Sequence, residues 1–120
     1  GRFDLVLFFG TLYHLRHPLL GLDKLGAVCD KQIIVETASC EDYSPYNGGF
    51  GKGYAGTQCV AEFYPTSELA GNTTNWWAPN LRCLAAMVYA AGFPKVEVWK
   101  LVENPTKVGL ARAFCSGFKA

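Results

Sequence analysis

A nearly unbroken apolar run, Phe3 to Phe9 (FDLVLFF), limits this chain more than any other stretch. Only Asp4 interrupts it, and Gly10 stops it. A run of that length closed by glycine predicts a strand buried on both faces. Polar and ring side chains follow at once: Thr11, Tyr13, His14, Arg16 and His17, before Pro18. Proline is well placed at the first position of a helix. A buried strand, a polar loop and a helix open an α/β unit, and in such sheets ligands sit beyond the carboxyl ends of the strands. The turn from Gly10 to His17 is therefore the first place to look for chemistry.

The rest of the chain continues the unit. Leu19, Leu20, Leu22, Leu25 and Val28 predict a helix over 18–29, with Gly26 weakening its later part. Asp30-Lys31 reads as a turn, and Gln32–Ala38 as a second strand, parallel to the first through a right-handed crossover. Residues 39–75 break the pattern. They read as a long irregular insertion, rich in glycine at 47–56, with a short extended piece at Val60–Tyr64. Leu81, Leu84, Ala85, Val88 and Tyr89 predict a helix over 80–91, started by Pro79 or Asn80 and closed by Gly92. Val96–Leu101 and Val108–Phe118 then form an antiparallel hairpin over a turn at Asn104-Pro105-Thr106, with Gly109 at a bulge and Gly117 at a fray.

Composition narrows the class. A chain of 120 residues, 50% hydrophobic and 18% charged, suits one packed domain with a modest core. Its net charge of +1 and lack of a basic run disfavour a nucleic-acid-binding domain. No segment reaches the ~18 apolar residues of a membrane span. Five cysteines without a C-x-x-C pair point to neither a disulfide framework nor a zinc site, so a reduced, cytoplasmic protein without metal is expected.

The order β-α-β-(insertion)-α-β-β resembles the second half of a class I S-adenosylmethionine-dependent methyltransferase. The residues carrying the resemblance are Phe3-Asp4-Leu5-Val6, Gly10 to Leu19 (GTLYHLRHPL), Val35-Glu36-Thr37, and Asn75 to Asn80 (NWWAPN) before a helix ending Ala91-Gly92-Phe93. They are most similar to the branch that contains the tRNA wobble-uridine carboxymethoxy-forming enzymes. The resemblance implies a partial Rossmann-like sheet: two parallel strands, a C-terminal hairpin and flanking helices. Its implied strand order puts the first strand at an edge, then the second, the last and the penultimate. The glycine-rich turn and acidic residue that begin the family's fold have no counterpart here, so a truncated, C-terminal half is expected. Gly51 to Gly56 (GKGYAG) does match G-x-G-x-x-G, but neither a buried strand before it nor a helix after it is expected, and it reads as a mobile loop. Asn72-Thr73-Thr74 matches a glycosylation acceptor and is taken as chance.

Candidate residues follow from both readings. The resemblance places Gly10, Thr11 and Leu12 against the cofactor, and glycine permits close approach of a ligand to backbone. It gives Tyr13 a carboxylate of the cofactor to hold, as an alternative to simple packing, and assigns Arg112 to the same carboxylate. His14 reads as a general base or as a structural histidine bonded to a carbonyl. Glu36 reads as a catalytic carboxylate or as half of a salt bridge. Trp76 and Trp77 read as a substrate-stacking pair or as caps on the core. Arg16 and His17, at a helix N-terminus, hint at an anionic neighbour.

The chain is thus read as a methyltransferase fragment. The intact enzyme would transfer a methyl or carboxymethyl group from S-adenosyl-L-methionine, or a carboxylated derivative, to a small-molecule or RNA nucleophile. This chain alone is expected to be inactive, with or without a bound cofactor. The alternative is a non-catalytic binding or self-association module. In either case an apolar strand left at an edge predicts a homodimer through Phe3–Phe9.

Overall fold

The computed structural model describes residues 1–120. A four-stranded sheet is built from β1 (Phe3–Phe9), β2 (Cys29–Ala38), β7 (Lys95–Lys100) and β8 (Arg112–Phe118), in the order β1-β2-β8-β7. β1 and β2 are parallel, and β8 is antiparallel to both β2 and β7. The fold is therefore mixed α/β with the expected strand order. Helices α1 (Pro18–Val28) and α2 (Leu81–Ala90) supply the crossovers.

Both helices lie on one face of the sheet. Leu22 of α1 and Leu84 and Val88 of α2 join Ile33, Val35, Ala113 and Cys115 in one buried cluster, with Val6 and Phe8 packed against it. The other face is bare. Phe3, Leu5, Leu7 and Phe9 alternate onto it and remain 56%, 51%, 56% and 50% exposed. The expectation that the first strand is buried on both faces is corrected here: no element of the chain covers its second face.

Other departures have local causes. Asp30-Lys31 is strand, not turn, because Phe3 already pairs with Cys29. The Arg2–Asp30 ion pair, at 2.6 Å, holds that end. Gly26 does not loosen α1; it is the crossing point with α2, where a Cβ would collide with the Ala91 carbonyl. β8 begins only at Arg112, because Val108–Leu110 winds a 3-10 turn closed by Ala111 N donating to Val108 O at 3.1 Å. The expected bulge at Gly109 thus falls outside the strand, and the hairpin connection is long, 101–111. Gly117 is not frayed but buried, since a Cβ there would press on Val88 and Phe93 at 2.6 and 2.9 Å.

The insertion is more ordered than its composition implies. β3 (Tyr43–Ser44) pairs with β4 (Gly49–Phe50), and β5 (Ala61–Phe63) pairs with β6 (Trp77–Pro79). A second core of Ala38, Cys40, Tyr64, Leu69 and Ala78 lies beneath them. In it, buried Glu62 accepts hydrogen bonds from the Ser44 and Tyr64 hydroxyls. Gly51–Gly56 opens no helix; Gly53 is pressed against the carbonyls of Cys40 and Glu41. Asn80 caps α2, its Oδ1 accepting from Cys83 N at 2.9 Å, and ties down the insertion through Tyr54 O and Gln58 O. No helix is long and apolar enough to cross a membrane.

Candidate functional site

Gly10 ends β1 with a φ of +66°, a conformation that favours glycine. That turn aims its N–H at Glu36, near the end of β2, reaching the backbone oxygen at 3.0 Å and Oε1 at 2.7 Å. Arg112, the first residue of β8, grips the same carboxylate in a fork: Nη2 donates to Oε1 at 3.0 Å and Nε donates to Oε2. A bidentate pair of this kind fixes geometry as well as charge. The guanidinium lies over the Tyr13 ring at 4.8 Å. Burial disfavours the charge of Arg112, but its hydrogen bonds to Glu36 and the neighbouring Tyr13 outweigh this and raise its pKa. Four candidates scattered through the sequence therefore meet at the carboxyl ends of the parallel strands.

An open depression of about 550 Å³ lies over this group, lined by Phe9, Gly10, Tyr13, Glu36, Arg112 and Phe114. Phe9 meets Phe114 edge-on at 6.1 Å, and Phe114 stacks on Trp99 at 5.4 Å. This aromatic strip runs from the depression onto the bare face of the sheet. Arg112 Nη1 makes no hydrogen bond within the chain, so one donor edge is free for an anionic ligand. Both Glu36 oxygens are engaged, which makes this carboxylate a positioning group instead of a free base.

The remaining candidates divide. Thr11 folds back on its own turn, its hydroxyl donating to Phe9 O at 3.1 Å. Leu12 is 1% exposed and anchors the 3-10 turn Leu12–His14 in the core, so its side chain is turned from the depression. His14 Nδ1 lies 2.9 Å from the Thr74 carbonyl. Neither Trp76 nor Trp77 lines the depression over Glu36 and Arg112, although Trp76 N donates to Tyr13 O at 2.8 Å. Trp76 carries Arg16 on its face at 4.8 Å, and Trp77 packs on Phe63 at 4.7 Å while its Nε1 donates to Arg16 O at 3.2 Å. Trp77 also lines a separate apolar cavity of about 390 Å³ with Leu20, Cys83 and Met87.

Sequence reasoning missed a second recess, of about 240 Å³, on the far side of Tyr13 and Arg112. His14, Asn72, Asn75 and Ser39 line it. Its walls come from segments up to 99 residues apart, from Tyr13 to Arg112, and the only local signal was the polar Asn72–Asn75 run.

No family model matches the chain, and comparison with curated proteins gives no match either. Solved structures do match. The N-terminal domain of EvdMO1, crystallised in the presence of SAH and D-fucose, is similar with a TM-score of 0.55 at 24% identity, over 98% of this chain and 48% of that one. The same domain with SAH bound gives 0.53 at 24% identity, over 98% and 47%. A structure of EvdMO1 gives 0.51 at 25% identity, over 98% and 21%. The chain spans about half the length of the EvdMO1 N-terminal domains it matches. The likeness shows that the chain shares the α/β fold of the EvdMO1 N-terminal domain.

Proposed function

We propose that this chain forms the Glu36–Arg112 wall of the cofactor site of an S-adenosylmethionine-dependent methyltransferase. The observation that carries this reading is the convergence of Gly10, Tyr13, Glu36 and Arg112 at the ends of β1, β2 and β8, on a fold whose neighbours were crystallised with SAH. The chemistry fits. The amino-acid end of such a cofactor carries an ammonium and a carboxylate, and the Glu36–Arg112 pair offers a complementary anion and cation. Arg112 Nη1 and the Tyr13 hydroxyl would hold the carboxylate, with Glu36 fixing Arg112 and facing the ammonium. Gly10 keeps the turn flush with the strand end, and Phe9 and Phe114 give apolar surface beside it. When bound, the cofactor supplies an activated methyl group and leaves as a thioether.

The GTLYHLRHPL and NWWAPN strings support the branch of the wobble-uridine enzymes and, with it, a carboxylated cofactor. D-fucose in the neighbour's crystals supports instead a sugar hydroxyl as acceptor. The recess beside Tyr13 favours the second, because it is small and the surrounding chain has no basic run for RNA.

Calorimetric titration with S-adenosylhomocysteine tests the reading. Saturable binding is expected in the wild type, weakened at least tenfold in Arg112→Met. Absence of binding, or equal affinity in the variant, contradicts it. A carboxylated analogue binding more tightly than the plain compound would assign the wobble-uridine branch.

A second observation favours self-association. With Trp99, the half-exposed residues of β1 leave on the order of 500 Å² of apolar surface, at the upper end for an ordinary monomer. The outer edge of β1 has no partner strand. A two-fold antiparallel pairing centred on Val6 sets Phe3 opposite Phe9, Leu5 opposite Leu7 and Asp4 opposite Phe8, with no like charges facing. A second copy of the chain therefore suits this edge, whether the pair is catalytic or only a binding module.

A further inference from the structure

The recess beside Tyr13 is more specifically built than its neighbours. Asn75 is 4% exposed, its Nδ2 donates to Leu69 O at 2.9 Å, and its Oδ1 has no partner. Buried acceptors are seldom left unpaired, and each exception calls for an explanation. Asn75 and His14 both line the recess, with the orphan Oδ1 buried behind its surface.

The state of His14 can be read from its partners. Nδ1 lies 2.9 Å from the Thr74 carbonyl, which can only accept. It also lies 3.2 Å from Thr74 Oγ1. That hydroxyl spends its hydrogen on Asn72 Oδ1 at 2.7 Å, so towards His14 it too can only accept. Asn72 is fixed in this orientation because the same Oδ1 accepts Thr74 N at 2.9 Å. Both contacts therefore require the hydrogen on Nδ1. In the neutral ring Nε2 then carries the lone pair, and it makes no hydrogen bond within the chain. The Asn72-Thr73-Thr74 run thus has a structural task, setting the tautomer of a histidine 60 residues away.

We propose that this recess is the acceptor pocket, that it takes a small hydroxylated molecule of monosaccharide size, and that His14 Nε2 is the base that deprotonates the reacting hydroxyl. The O–H bond breaks, its proton passes to Nε2, and the oxygen keeps the electron pair that bonds to the incoming methyl carbon. Asn75 Oδ1 lies buried behind this wall, and a second hydroxyl of the same molecule would reach it once the amide turns towards the recess, ending its isolation. The recess shares Tyr13 and Arg112 with the depression assigned to the cofactor, so the acceptor and the donor would lie on either side of those two side chains. This assignment rests on the methyltransferase reading, but its test needs no cofactor.

Nitrogen NMR of the full chain reads the tautomer directly. The chain has only two histidines, and His17→Gln identifies the signals of the other. His14 is expected as the Nδ1–H form, and still so in Thr74→Val, which keeps the backbone carbonyl contact. An Nε2–H form in the wild type overturns the base assignment. Titration with D-fucose and a panel of free hexoses and pentitols then reads the pocket. Saturable shifts at His14, Asn72 and Asn75 are expected with at least one member. His14→Asn keeps a donor for Thr74 and removes Nε2; it should weaken that binding at least tenfold with an unchanged melting temperature. No shift with any member, or shifts confined to Trp77 and Met87, overturns the pocket. If the sugars titrate while S-adenosylhomocysteine does not, the cofactor reading fails and the pocket stands.

Discussion

The two faces of the sheet are made by the same strands and differ in nearly everything else. On one, Ile33, Val35, Ala113 and Cys115 are buried beneath two helices, with Val6 and Phe8 partly buried beside them. On the other, Phe3, Leu5, Leu7, Phe9 and Trp99 face outwards half exposed. Strand residues alternate between faces, so an unbroken apolar run commits both faces to burial. Only one commitment is met within the chain. The depression at Gly10, Glu36 and Arg112 borders the unmet side through Phe9 and Phe114, which places the candidate cofactor wall at the rim of that uncovered face.

The contrast can be broken most sharply on the covered face. Leu84→Ala removes a side chain with no exposed surface and should cost about 3 kcal/mol. Urea midpoints with an unchanged slope would read it. A smaller effect comes with pH. Burial pushes the Cys115 thiol up from 9.0 to about 12, and burial does the same for Cys40 in the second core. In the folded chain these thiols stay protonated where the unfolded chain ionises. The stability they contribute is complete below pH 9 and is lost as pH rises towards 12. Unfolding midpoints at pH 8 and pH 10.5 should therefore differ, and by less in Cys115→Ala than in the wild type. Smallest of all is Leu7→Thr on the bare face. In dilute solution it should change stability by under about 0.5 kcal/mol. At high concentration it should cost more if β1 pairs with a second copy, where Leu7 would sit beside that copy's Leu5.

Much of this contrast could be read from the chain, and the reasons are physical. β1, α1 and α2 were legible because hydrophobic spacing marks them and Pro18, Asn80 and Gly92 punctuate them. Gly10, Tyr13, Glu36 and Arg112 were singled out separately, chiefly through resemblance, but their mutual grip depends on β2–β8 pairing across 76 residues. Glycines were misread where their role is tertiary: at Gly26 and Gly117 the absent Cβ makes room for α2 and its flank, which no local rule registers. The order in the insertion was hidden because its core is partly polar. Glu62 is held by Ser44 and Tyr64, and such networks leave no hydrophobic period. The clamp of Asn72 and Thr74 on His14 was hidden for a similar reason, since it joins two loops instead of two regular elements.

Whether the bare face is an interface can be decided by sedimentation velocity of the full chain over a wide concentration range, beside Leu7→Lys. The wild type should sediment as a concentration-dependent dimer and the variant as a monomer. A wild type that stays monomeric at every concentration would contradict the dimer, and with it the reading of β1 as a strand awaiting a second copy.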